Sequence, residues 1–275
     1  MKIAVVSDVH GNRPALATVL ADIERWCPDR LIVNGDLVNR GPYSLDCLRM
    51  LEQQFPAAHL LRGNHETFVL SCGTGRHDPQ HPSFDLRRFA HWTYRQLGPA
   101  VTQLAGWADH LDLTDLEGGA VHVTHGSRLG NRDGISDRTA DADLPAKLGE
   151  PRELFITSHT HRPLVRDFEG TLVVNTGSVG SPFDRDPRAS YGRFTFHAGR
   201  WRAEIMRLAY DKAQAEREFV ESGFVEEGGP LARMMLLELQ QSRMHIGPWM
   251  RRYHQAVLEG EITVAEAVME HFAAL

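Results

Sequence analysis

Short apolar runs alternate with amphipathic stretches over the first 65 residues. The run from Lys2 to Val6 is apolar and β-branched and stops at Ser7-Asp8, as a buried strand would. From Arg13 to Trp26, Leu16, Val19, Leu20 and Ile23 recur at helical spacing, which predicts a helix with one buried face. Leu31-Ile32-Val33 predicts a second strand ending at Gly35-Asp36, and Ser44 to Gln54 a second helix. His59-Leu60-Leu61 predicts a third strand, ending at Gly63-Asn64-His65-Glu66. Strands alternating with helices imply right-handed crossovers and a largely parallel sheet. Polar residues gather just past each strand's carboxyl end, where such sheets carry their sites.

Residues 66 to 117 read as a mostly helical insertion, in which Gly73 to Ser83 is expected to be a mobile loop. Strand patterns return at Ala120 to Thr124, Leu154 to Thr157 and Leu172 to Val174. Tyr191 to His197 and Trp201 to Leu208 alternate as an antiparallel hairpin around Gly199. From Asp211 onward the pattern is helical, including Ala232 to Met244 and Thr263 to Phe272. The last of these opens on Thr263-x-x-Glu266, a capping-box spacing. The expected division is a catalytic domain over residues 1–209 and a C-terminal helical extension over 210–275.

Composition narrows the function classes. The 275 residues are 42% hydrophobic and 24% charged, ordinary for a globular protein and unlike a disordered chain. No apolar run approaches the roughly 20 residues of a membrane span, and no basic segment followed by an apolar one opens the chain, so neither a membrane nor a secretory role is expected. The three cysteines, Cys27, Cys47 and Cys72, form no C-x-x-C pair; a cytoplasmic location is expected, with no disulfide scaffold or thiolate metal site. A net charge of −6 offers no footprint for general nucleic-acid binding. The unusual feature is fifteen histidines, several of them at strand ends.

Five strand ends read Asp8-x-His10, Gly35-Asp36, Gly63-Asn64-His65, His125-Gly126 and His159-Thr160-His161. Each alone has an ordinary reading as a turn or a hydrogen-bonded core histidine. Together and in this order they supply two carboxylates, an amide oxygen and four or five imidazoles, expected to converge at one edge of the sheet. Oxygen and imidazole ligands without thiolate suit Mn, Fe, Zn or Co. A central aspartate can bridge two cations, and a pair about 3.5–4 Å apart clamps the attacking and leaving oxygens of a phosphoryl displacement.

This series, from Asp8-Val9-His10-Gly11 to His159-Thr160-His161, resembles the calcineurin-like metallophosphoesterase superfamily over roughly residues 1 to 208. The resemblance implies an α/β fold: a four-layer α-β-β-α sandwich of two packed mixed sheets with outer helices, followed here by the C-terminal extension. It implies that Asp8, His10, Asp36 and His161 hold one metal and that Asp36, Asn64, His125 and His159 hold the other. His65 would donate a proton to the leaving group, and Arg40 would bind a phosphate oxygen. The implied cofactors are two divalent transition-metal ions, manganese first, with iron, zinc or cobalt as alternatives. The implied reaction is hydrolysis of phosphodiester or phosphomonoester bonds of small or nucleotide substrates, by attack of a metal-bound hydroxide.

Two branches of the superfamily are represented. GDLVNRGPYSLDCLRML and RGNHETFVL, between residues 34 and 70, resemble bacterial serine/threonine protein phosphatases and symmetrical diadenosine-tetraphosphate hydrolases. SHTHRP and NTGSVGSPFDRDPRASYG resemble the small bacterial phosphodiesterases. Protein phosphatases carry Asp where this chain has Asn39, which can orient His65 only by a neutral hydrogen bond. Both of the first branch's activities stand as alternatives. A non-catalytic scaffold is a third reading, opposed by intact ligands at all seven positions. Contact between copies through the C-terminal helices is a further expectation.

Overall fold

The computed structural model describes residues 1–74, 78, 81–114 and 118–275, so residues 75–77 and 79–80 of the loop expected from Gly73 to Ser83 lie outside the described residues. The first half contains β1 (Lys2–Val6), α1 (Arg13–Trp26), β2 (Arg30–Asn34), α2 (Ser44–Gln54), β3 (His59–Leu61), α3 (Asn64–Ser71), α4 (Phe84–Leu97), α5 (Val101–Leu104), β4 (His110–Leu113) and β5 (Val121–Thr124). Then come α6 (Leu144–Leu148), β6 (Leu154–Thr157), β7 (Leu164–Phe168), β8 (Thr171–Asn175), β9 (Ala189–His197) and β10 (Arg200–Leu208). The chain closes with α7 (Lys212–Glu221), α8 (Phe224–Glu227), α9 (Pro230–Gln241), α10 (Ile246–Leu258) and α11 (Val264–Ala273).

Among the described residues the strands form two five-stranded sheets, ordered β10-β9-β1-β2-β3 and β4-β5-β6-β8-β7. Each is mixed rather than largely parallel: in the first, β1, β2 and β3 run parallel, β9 pairs antiparallel with β1, and β10 pairs antiparallel with β9. The period-2 alternation of the strands builds the layers. Ile3, Val5 and Ile32 face Val121, Val123, Leu154, Ile156 and Val174 between the sheets. Ala4, Val6, Leu31 and Val33 face the other way, onto Leu16, Leu20 and Ile23 of α1 and Leu48 of α2. Phe155 and Val173 meet Ile135, Leu144 and Leu148 on the outer face of the second sheet. This is the α-β-β-α sandwich.

Two strands escaped the hydrophobic pattern. β4 lies within the stretch expected to be helical, and β7 follows the histidine pair. Both are edge strands in which every second residue is exposed, so their apolar signal is weak. The C-terminal helices make no core of their own: Phe219, Phe224, Met234, Met235, Leu239, Trp249, Val264 and Val268 share one cluster with Phe89, Ala90 and Trp92 of α4. Met234 and Met235 thus fill an interior, whereas Met244 and Met269 are exposed. Thr263 caps α11 and exchanges hydrogen bonds with Glu266, as its spacing predicts. No helix among the described residues is long and apolar enough to cross a membrane.

Candidate metal centre

The five polar strand ends do meet, though not along one sheet. Asp8, Asp36 and Asn64 follow β1, β2 and β3 of the first sheet, whereas His125 and His159 follow β5 and β6 of the second. The centre lies where the carboxyl ends of both sheets come together. Two sheets packed face to face can surround a small volume with ligands from both sides, which one edge cannot.

The turns carrying these residues are tightly wound. Asp8, His10, Asp36, His159 and His161 all have φ between 51° and 65°, a region non-glycine residues seldom enter. Backbone bonds hold them there: the N–H groups of Asp8, His10 and Gly11 donate to the carbonyls of Gly35, Asp36 and Leu37. Glycine is required beside Asp36, because a Cβ on Gly63 would stand 2.1 Å from Asp36 Oδ1.

Each carboxylate has one oxygen fixed and one turned inward. Asp36 Oδ1 accepts the His65 backbone N–H at 2.8 Å, while Oδ2 lies 3.8 Å from His10 Nε2 and 3.3 Å from His125 Nε2. Asp8 Oδ2 accepts the His159 N–H at 3.3 Å. Asp8 Oδ1 is buried, has no hydrogen-bond partner and lies 3.2 Å from His161 Nε2. Asn64 Oδ1 lies 3.1 Å from His125 Nε2 and 2.9 Å from His159 Nδ1.

The imidazoles decide what this arrangement can hold. His125 Nδ1 donates to the Asn34 carbonyl at 2.8 Å, so Nε2 is the atom turned toward Asp36 Oδ2 and Asn64 Oδ1. His161 Nδ1 donates to the Ser181 carbonyl, so its Nε2 faces the orphaned Asp8 Oδ1 at 3.2 Å and His10 Nε2 at 3.3 Å. Ring nitrogens and carboxylate oxygens crowded in a buried space repel one another unless a proton or a metal ion lies among them. Carbonyl groups that orient ligand histidines from behind are the usual support of such sites. The chain's own field agrees. Burial works against a charged His125, yet Asp36 above all, and Asp8, draw its pKa up to about 10. Burial alone would raise Asp36, but His125 and His65 hold it well below the usual carboxylate range. Burial, together with His65, keeps His10 well below an ordinary histidine, and burial with the neighbouring His125 holds His159 down to about 4. A field that holds a proton on His125, beside an ionised Asp36 and neutral His10 and His159, favours positive charge here, and a bound metal ion would displace that proton.

The ligand atoms of Asp8, His10 and His161 fit around one ion, and those of Asp36, His125 and His159 around another. Asp36 Oδ2 lies between the two groups, in reach of both His10 and His125.

The two other residues singled out from the sequence flank this centre. His65 Nδ1 lies 2.9 Å from Asn39 Nδ2, and the Thr93 hydroxyl lies 3.2 Å from Asn39 Oδ1. An amide donor at Nδ1 leaves the proton of the neutral ring on Nε2. Burial is the largest influence on His65 and, with Arg40 nearby, outweighs Asp36 to hold its pKa at about 3. Asn39→Asp replaces that donor with an acceptor, so the ring proton is expected to move to Nδ1. Nitrogen-15 NMR of metal-free protein reads this directly; an Nδ1 protonated in both forms would mean the Asn39 carbonyl faces the ring instead. Arg40 lies beside Phe183, which stacks 4.2 Å on His161, but its Nη2 also donates to Glu238 of α9.

Sequence reading gave no role to Glu66 or Glu238. Glu66 is fully buried, and its carboxylate accepts the backbone N–H groups of Asp36 and Gly63 at 2.8 Å and of Val38 at 3.2 Å. Its place three residues after Gly63 is a capping-box spacing that could have revealed it. Nothing local to residue 238 signals a partner nearly 200 residues away. The glycine-rich segment after β8 binds within the protein: the Val179 and Gly180 N–H groups donate to the Ser7 and Asp8 carbonyls and brace the first ligand turn.

The family model for calcineurin-like phosphoesterases matches residues 1–191. Over 80 residues, 28% of either chain, the protein is 42% identical to a symmetrical bis(5'-nucleosyl)-tetraphosphatase of Methylococcus capsulatus. It is 38% identical over 84 residues to the enzyme of that description from Yersinia enterocolitica, again 28% of that relative's length. The similarity therefore spans less than a third of these relatives. A solved metallophosphoesterase from Sphaerobacter thermophilus is similar at a TM-score of 0.70 and 27% identity, over 88% of this chain and 99% of that one. A hypothetical protein from Pyrococcus horikoshii shares the fold at a TM-score of 0.70 and 19% identity, over 82% of this chain and 95% of that one.

Proposed function

The chain belongs to the calcineurin-like phosphoesterase family of metal-dependent hydrolases acting on phosphoester bonds, and we propose that it uses two divalent cations to hydrolyse small or nucleotide phosphoesters. Asp8, His10, Asp36 and His161 hold one cation, and Asp36, Asn64, His125 and His159 the other. The observation that carries this reading is the set of inward-facing ligand atoms: Nε2 of His125 faces Asp36 Oδ2 and Asn64 Oδ1, and Nε2 of His161 faces Asp8 Oδ1 and His10 Nε2, with Nδ1 of each ring already tied to a carbonyl. The all-nitrogen and oxygen donor set favours manganese, iron, zinc or cobalt, and manganese is the first to test. When bound, the cations neutralise charge on the phosphoryl group and acidify a water.

The chain's own groups do the rest. Arg40, on the rim beside Phe183, offers donors to a phosphoryl oxygen. His65, half-buried against His10 with the two rings edge to face, offers its Nε2–H to the departing oxygen as a hydrogen-bond donor. Burial of Asp8, His10, Asp36 and His125 excludes bulk water, so the charges there act with little screening. The three cysteines are free, which suits a reducing compartment such as the cytoplasm.

Metal-stripped protein should turn over aryl phosphoesters only after Mn²⁺ is restored. Inactivity toward both an aryl diester and an aryl monoester, with manganese shown to be bound, would remove this reading. The tetraphosphatase relatives support nucleotide polyphosphates as the first natural substrates to try.

A further inference from the structure

Glu238 is fully buried on α9, and its carboxylate links two parts of the molecule. Oε1 accepts the backbone N–H groups of His245 at 2.6 Å and Ile246 at 2.8 Å, where α10 begins. Oε2 accepts from Arg40 Nη2. The Arg40 side chain is 12% exposed, and its Nε has no partner. Its guanidinium lies 5.7 Å from the Phe183 ring, which stacks on His161. A negative charge from the C-terminal helices thus stands directly behind the arginine that flanks the metal centre.

We propose that Glu238 is a specificity-determining residue that steers this site toward phosphodiesters and away from phosphomonoesters. The proposal rests on the phosphoesterase reading above and assigns it a substrate class. A diester carries one negative charge on its phosphoryl group, whereas a monoester carries nearly two at neutral pH. An arginine paired to a buried carboxylate keeps its directional donors, but the pair has almost no net charge at a distance. A monoanion is served by the donors. A dianion relies more on the field, and its second charge meets the fixed carboxylate with little water to screen it. The contacts to His245 and Ile246 keep Glu238 in place, so the charge cannot swing away when substrate enters.

The test compares an aryl phosphodiester with an aryl phosphomonoester, with Mn²⁺ present, on wild type, on Glu238→Gln and on the double variant Arg40→Gln/Glu238→Gln. Wild type is expected to prefer the diester. Glu238→Gln is expected to raise the monoester-to-diester ratio of kcat/KM about tenfold, the factor carried by one charge-assisted hydrogen bond. In the double variant both rates fall, but the ratio returns toward the wild-type value because the net charge is restored. If Glu238 only positioned Arg40, Glu238→Gln would slow both substrates alike, and an unchanged ratio overturns the proposal. Monoester preference in wild type overturns it too, without needing any variant to fold. Wild type inactive on both substrates would instead overturn the phosphoesterase reading, and this proposal with it.

Discussion

Asp36→Asn is expected to lower turnover by at least about a thousandfold, the scale of losing a bridging charge from a two-metal site. The substitution changes little in shape. The amide side chain can still accept the His65 backbone N–H through its oxygen, as Asp36 Oδ1 does at 2.8 Å. What changes is the atom in place of Oδ2, which faces His10 Nε2 at 3.8 Å and His125 Nε2 at 3.3 Å. An amide nitrogen there donates to the two imidazoles and cannot bridge two cations. The loss should therefore appear in metal content as well as in rate. Steady-state kinetics at saturating Mn²⁺, with metal analysis of the same sample, separate weak binding from failed chemistry. A variant within about tenfold of wild type would show that Asp36 does not bridge.

Glu66→Ala is expected to cost about 3–5 kcal/mol of stability, because it leaves three buried backbone N–H groups without acceptors. Those groups belong to Asp36, Val38 and Gly63, so the damage falls on two ligand turns together. Glu66→Gln keeps one oxygen for Asp36 and Gly63 and strands only the Val38 N–H, and should lose about 1–3 kcal/mol. Urea unfolding of the metal-free proteins measures both without interference from metal binding. A loss below about 1 kcal/mol for Glu66→Ala would mean that water replaces the carboxylate, and that the ligand turns support themselves.

How much of this was legible from the chain depended on where the information lay. β1, β2 and β6 announced themselves because they are buried on both faces and read as continuous apolar runs, and β5 because valines alternate in it. Their ends stood out because Asp, Asn and His interrupt those runs abruptly. β4 and β7 did not, since half of each edge strand faces solvent. The candidate ligand residues were visible as a series, but their meeting place was not. That β5 and β6 belong to a second sheet is a matter of pairing register, which no local pattern encodes. The positive φ values of Asp8, His10 and Asp36 were hidden for a related reason, because left-handed turns usually signal themselves by glycine and here the ligands themselves occupy them. Glu238 was beyond any local reading. Its helix pattern showed only that α9 has a buried side; that a carboxylate on that side meets Arg40 follows from how α9 packs on α4 and the site loop.

The proposed chemistry stands or falls on whether this centre holds two cations bridged by Asp36. Metal-stripped protein can be reloaded with Mn²⁺, freed of excess by dialysis, and divided between metal analysis and electron paramagnetic resonance. Two manganese ions per chain with a spin-coupled spectrum are expected, with loss of that coupling in Asp36→Asn. One ion or none, or two ions that show no coupling, would contradict a bridged pair.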